Sequence, residues 1–205
     1  MNGKTLAGLV AAVVVAAMVL RPGAPDDWRI RNERPGAGPI VCFGDSLTAG
    51  FGAEPGRSYP DALHELLGRE VVNRGRNGET ATDALERVDA IVALQPKVVV
   101  VTLGGNDMLQ RVPIEQTVAS MRRIFDRLLA TGAMVAFVGI DPPLASTARM
   151  DAIRDLCRER GVLWVGGAMT GLWQDRGRMS DQIHPNAAGY RIVAERVAGA
   201  LKPRL

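Results

Sequence analysis

From residue 39 onward the sequence predicts an α/β domain of three layers, a parallel β-sheet with helices on both faces. Short apolar runs alternate with longer stretches of helical period, which is the pattern of linked βαβ units. The runs are continuously apolar and largely β-branched, as strands buried on both faces require. Several of them end in glycine followed by polar residues, the composition of loops at the carboxyl edge of a parallel sheet, where ligands bind.

The first predicted strand, Ile40 to Phe43, runs into Gly44-Asp45-Ser46-Leu47-Thr48-Ala49-Gly50 and so delivers a hydroxyl to that edge. A helix over Tyr59 to Leu67 leads to a second strand, Glu70 to Asn73, which opens into Arg74-Gly75-Arg76-Asn77-Gly78-Glu79-Thr80. A helix over Thr82 to Leu94 returns the chain to a third strand, Val98 to Leu103, which ends in Gly104-Gly105-Asn106-Asp107. A long helix, Ile114 to Ala130, precedes a fourth strand, Met134 to Gly139, and a helix over Thr147 to Arg160 precedes a fifth, Leu163 to Val165. The final helix spans Ala187 to Leu201, with Pro185 suited to its start because proline presets a helical φ and lacks an N–H. Right-handed crossovers are expected throughout.

Composition narrows the function. In 205 residues, 47% hydrophobic and 23% charged, there is room for one domain with a substantial core. The net charge of +3 comes from scattered arginines, and aromatics make up only 4%, so neither a basic groove nor a base-stacking platform is present and nucleic acid is not expected as a partner. Cys42 and Cys157 form no disulfide framework and read as small buried hydrophobes. No His/Cys/Asp/Glu group has metal-ligand spacing, so neither a metal nor another cofactor is expected.

The chain opens with an uncharged apolar segment, Thr5 to Leu20, closed by Arg21-Pro22-Gly23. As a helix it would be roughly 24 Å long, short of the roughly 30 Å of a bilayer core. Residues 1–20 therefore read as a signal peptide or a membrane anchor, residues 21–38 as a solvated linker rich in Pro, Gly and charge, and residues 39–205 as the folded domain. Export to the periplasm or another extracytoplasmic space is expected, with membrane association through residues 5–20, and the domain on its own is expected to be active.

A serine hydroxyl is inert at its ordinary pKa and needs a base and a group to orient that base. There are two histidines. His64 lies mid-helix. His184, in Asp181-Gln182-Ile183-His184-Pro185, has a carboxylate three residues upstream that one turn folds back onto the imidazole. Read alone, this pair serves equally as a structural cap. Gly78 frees a turn to aim a backbone N–H at a ligand, and Asn106 carries an amide donor. With the Ser46 N–H they form a candidate oxyanion hole, although turn glycines and a helix-capping asparagine read the same way.

Gly44-Asp45-Ser46-Leu47, Gly78 after Asn73, Gly104-Gly105-Asn106-Asp107 and Asp181-Gln182-Ile183-His184-Pro185, in that order, resemble the blocks of the SGNH (GDSL-type) hydrolases, in particular the exported thioesterase, lysophospholipase and arylesterase branch. The resemblance runs from about Pro39 to the C-terminus. It implies Ser46 as nucleophile, His184 as base and acid, Asp181 as orienter, and Ser46, Gly78 and Asn106 as oxyanion donors. It also implies a flavodoxin-like, five-stranded parallel sheet of order 2-1-3-4-5. Thr48 stands where a G-x-S-x-G elbow needs glycine, so the α/β-hydrolases are the wrong comparison.

The resemblance points to a monomeric serine hydrolase acting on small-molecule esters, thioesters or lysolipids of short to medium chain. Met108, Leu109, Pro142, Pro143 and Leu144 are expected to line a shallow acyl groove. Met108 and Leu109 stand where the family often has a small residue, which narrows that groove. The same triad would also serve an acyltransferase or a sugar O-deacetylase; a non-catalytic flavodoxin-like binding domain would leave the Asp181/His184 pair unexplained, and a catalytically silent, membrane-tethered interaction domain would fail to react with a serine-directed phosphonate.

Overall fold

The computed structural model describes residues 28–140 and 147–205. Five strands, β1 (Ile40–Gly44), β2 (Val71–Gly75), β3 (Val98–Thr102), β4 (Met134–Val138) and β5 (Leu163–Val165), form one sheet of order β2-β1-β3-β4-β5. Every pair is parallel. All side chains of β1, β3 and β4 are buried, as the continuous apolar runs require when both faces are covered.

The helices are α1 (Ser46–Ala49), α2 (Tyr59–Leu67), α3 (Ala81–Glu86), α4 (Val88–Val92), α5 (Gly105–Leu109), α6 (Ile114–Leu129), α7 (Ala148–Arg160) and α8 (Ala187–Leu201). Helices α2 and α8 pack together on one face, while α3, α4, α6 and α7 cover the other. Helix α6 turns Met121, Ile124, Phe125 and Leu128 into the core at helical spacing.

Several boundaries differ from the sequence expectation. Strand β2 is displaced to Val71–Gly75, because pairing with β1 in the register Gly44↔Gly75 carries it through Arg74, whose side chain the edge position leaves exposed. The helix expected over 82–94 breaks at Arg87. No glycine or proline breaks it. The Arg87 guanidinium pairs with Glu79, donates to Gly44 O and Arg74 O, and lies over the Phe43 ring. Pro185 stands one residue before the cap of α8, and Asn186 caps it by accepting from Ala188 N and Gly189 N.

Residues 28–38, expected as part of a solvated linker, form a strap along the amino edge of the sheet. Trp28 Nε1 donates to Val162 O at 3.0 Å, and Arg31 N donates to Gly161 O at 2.8 Å. Asn32 Nδ2 donates to Leu129 O and Ala133 O, Arg69 reaches Gly36 O, and Lys97 N donates to Pro39 O. Ile30 joins the core with 5% exposure. Apolar residues in this charged stretch were too sparse to stand out as a periodic signal. A chain starting at residue 39 should be less stable than one starting at residue 28 by about 3 kcal/mol or more, from the lost Ile30 burial and strap hydrogen bonds. Denaturant unfolding of the two chains measures this, and equal midpoints would show that the strap contributes nothing.

Candidate active site

The site lies at the carboxyl edge, opposite the strap. Gly44 ends β1, and its Cα partner Gly75 ends β2. A Cβ on Gly44 would lie 2.1 Å from Thr102 O, and one on Gly75 2.1 Å from Ala49 N. Neither position has room for a side chain, and this closeness lets α1 sit directly over the strand ends. Asp45 caps α1 by accepting from Leu47 N at 3.0 Å, which places Ser46 in the first turn.

Ser46 Oγ lies 2.9 Å from His184 Nε2, and His184 Nδ1 lies 2.8 Å from Asp181 Oδ2. Asp181 Oδ1 accepts from Ile183 N and His184 N, both at 2.7 Å. Burial pushes the Asp181 carboxyl up, but the hydrogen bonds from the imidazole and the two amides outweigh it and hold the group below the usual carboxylate range. An ionised carboxylate only accepts, so the imidazole proton sits on Nδ1 and the Nε2 lone pair faces the serine hydroxyl. This is the arrangement in which imidazole removes a serine proton and a carboxylate holds the resulting imidazolium.

The loop bearing the pair is braced. Ser180 N and Ser180 Oγ both donate to His184 O. The Phe51 ring meets the imidazole at 4.6 Å between centroids, and the buried Tyr190 hydroxyl donates to Phe51 O at 2.8 Å.

A cleft of about 580 Å³ brings together Ser46, Gly78, Asn106, Met108, Leu109 and His184. Gly78 has φ +77 with open space where a Cβ would stand. Asn106, in the first turn of α5, donates through Nδ2 to Glu79 O at 3.0 Å and to Asp45 Oδ2 at 3.4 Å. Asp181 stands behind His184, outside the cleft lining. Pro142, Pro143 and Leu144 lie outside the described residues. The cleft is otherwise largely apolar, with Leu47, Phe51, Ile140, Trp173 and Ile183 in its wall. Sequence reasoning missed these residues. An available signal was the aromatic Phe51 in the glycine-flanked loop just after the serine.

Asp45 is 2% exposed. Burial pushes its carboxyl up to about 7; the Leu47 N–H bond opposes the shift, and the nearby Glu79 and Asp107 charges add to it. The unfolded chain releases this proton near the ordinary carboxyl value of 3.8 while the folded protein keeps it to about 7, so this group makes stability fall as pH rises between those values. Asp45→Asn should remove that slope. Its thermal stability relative to the parent should rise from about pH 4 to about pH 7 and then level off. A difference independent of pH would show that Asp45 ionises normally.

A doubly wound parallel sheet that presents a hydrogen-bonded Ser-His-Asp chain on a short helix at its carboxyl edge defines an esterase of the SGNH type. Residues 42–192 match the model of the GDSL-like lipase/acylhydrolase family, to which this chain belongs. Among curated proteins it is 29% identical to "Esterase TesA" of Pseudomonas aeruginosa over 85% of this chain and 92% of that protein. It is 28% identical to "Thioesterase 1/protease 1/lysophospholipase L1" of Escherichia coli K12 over 80% of this chain and 83% of that one. Among solved structures, a crystal structure of TesA superposes with a TM-score of 0.76 at 28% identity, covering 82% of this chain and all of the other.

Proposed function

We propose that this enzyme hydrolyses carboxylic esters or thioesters of short to medium acyl chains through an acyl-enzyme on Ser46. The observation that carries the reading is the continuous path from Ser46 Oγ through His184 to Asp181, at 2.9 and 2.8 Å, opening on an apolar cleft.

Ser46 Oγ attacks the carbonyl carbon as His184 Nε2 takes its proton. The oxyanion develops toward the N–H groups of Ser46 and Gly78 and the Asn106 amide, where donors fixed in advance act most strongly. His184 then returns the proton to the departing alkoxide or thiolate, leaving the acyl group on Ser46. A water molecule, deprotonated by the same nitrogen, releases the acid and restores the serine.

Names of relatives that include an esterase and a thioesterase support ester and thioester substrates. Leu109, Phe51 and Ile183 stand at the cleft 58%, 49% and 40% exposed, which favours a groove open to solvent over a closed tunnel. Each methylene buried contributes up to about 0.8 kcal/mol, or roughly fourfold in kcat/KM. Against a series of p-nitrophenyl esters, kcat/KM should therefore climb over the first few carbons and then level off. Lysophospholipid, acyl-CoA and alcohol acceptors complete the test. A steady rise to long chains would reject the chain-length reading, and acyl transfer to alcohol in preference to water would make the enzyme a transferase.

The apolar segment at 5–20 supports export. Among the described residues no helix is long and apolar enough to cross a membrane.

A further inference from the structure

The Asn106 amide nitrogen carries two N–H groups. One donates to Glu79 O at 3.0 Å, and the other leans on Asp45 Oδ2 at the longer distance of 3.4 Å. The first contact is firmly supported. Arg87 holds the Glu79 side chain, and Asp107 Oδ2 accepts from Ala81 N at 2.9 Å, fixing the segment that presents the Glu79 carbonyl. The second contact is to a buried acid for which the acyl-transfer steps have no use. Asp45 lines the cleft beside Ser46 and Asn106, and the Arg87 guanidinium nearby is engaged by Glu79. A buried carboxyl kept at such a place at a cost in solvation points to a role in the site.

We propose that Asp45 is a positioning residue of the oxyanion hole and acts through Asn106. This deepens the hydrolase reading above and rests on it. Asp45 Oδ1 caps α1 by accepting from Leu47 N, while Oδ2 accepts from the Asn106 amide N–H beside Ser46. One carboxylate thus ties the nucleophile's helix to the amide donor on α5. A bond of 3.4 Å is weak enough for that N–H to be shared with a developing oxyanion, yet it restricts where the amide points.

The position needs an acceptor on both sides. Asparagine has one oxygen and one NH2, so it sets donor against donor either at Leu47 or at Asn106. Asp45→Asn, assayed with a soluble p-nitrophenyl ester at about pH 8, where the parent carboxyl is ionised, should lower kcat about tenfold to a hundredfold with KM within about twofold. Asp45→Ser keeps a short side chain able to cap Leu47 N but too short to reach Asn106, and it should show the same loss of kcat. Combined with Asn106→Ala, neither substitution should lower kcat beyond the Asn106→Ala level, because the group through which Asp45 acts is already gone. Normal kcat in Asp45→Ser, or losses that multiply with Asn106→Ala, would overturn the proposal and reduce Asp45 to a helix cap. A variant that fails to fold leaves the other to decide. Failure of the underlying reading would look different: turnover in the parent protein that survives Ser46→Ala.

Discussion

Ser46→Ala should reduce ester turnover by about a millionfold, the scale seen when the nucleophile of a serine hydrolase is removed. The loss should fall on kcat, since the cleft wall remains to bind substrate. The fold should survive, because the Ser46 hydroxyl bonds His184 and no core residue, so circular dichroism and thermal unfolding should match the parent. Labelling by a serine-directed phosphonate should disappear with activity, and in the parent protein mass spectrometry should place the label on Ser46. Ser180 is the hydroxyl nearest to the same histidine in sequence, and its proton is already given to His184 O at 3.1 Å. A label on Ser180 or on the buried Ser58 would remove Ser46 from the chemistry.

Asp181→Asn should lower kcat by about ten-thousandfold, more than its near-identical shape suggests. Two backbone N–H groups, from Ile183 and His184, converge on Oδ1 at 2.7 Å. In asparagine the carbonyl oxygen must take that side, which turns the NH2 toward the imidazole. A donor facing Nδ1 forces the ring proton onto Nε2, and Nε2 then has no lone pair for the serine proton. Asp181→Ala leaves the ring free to choose its tautomer and should be the milder substitution. Near-parent activity in Asp181→Asn, or Asp181→Ala proving the worse of the two, would show that the carboxylate does not set the tautomer. Because hydrogen bonds hold Asp181 below the usual carboxylate range, the parent should lose this orienting charge only in strong acid.

Much of this was legible along the chain. Five apolar runs and the periods between them identified the sheet and most helices, because burial on both faces leaves the inner strands β1, β3 and β4 almost no polar positions. The resemblance of four short blocks then assigned Ser46, Gly78, Asn106, Asp181 and His184, and the structure brings these together. What escaped was short or long-range. Helices α1 and α5 have four and five residues, too few to show a period. Helix α3 ends at Arg87 because that side chain is drawn to Glu79 and to the ends of β1 and β2.

By itself, then, the sequence determined the class of fold and which polar residues stand at strand ends, since both follow from patterns within one element or one turn. Only the tertiary structure decided that Ser46 and His184, 138 residues apart, meet at 2.9 Å, that Phe51, Trp173 and Ile183 wall the cleft, and that Asp45 is buried beside Ser46 and within reach of the Asn106 amide. It also decided that residues 28–38 belong to the domain. Each of these depends on which side chains the packed layers bring face to face and on how much water is left between them, and neither is written in the spacing of residues along a chain.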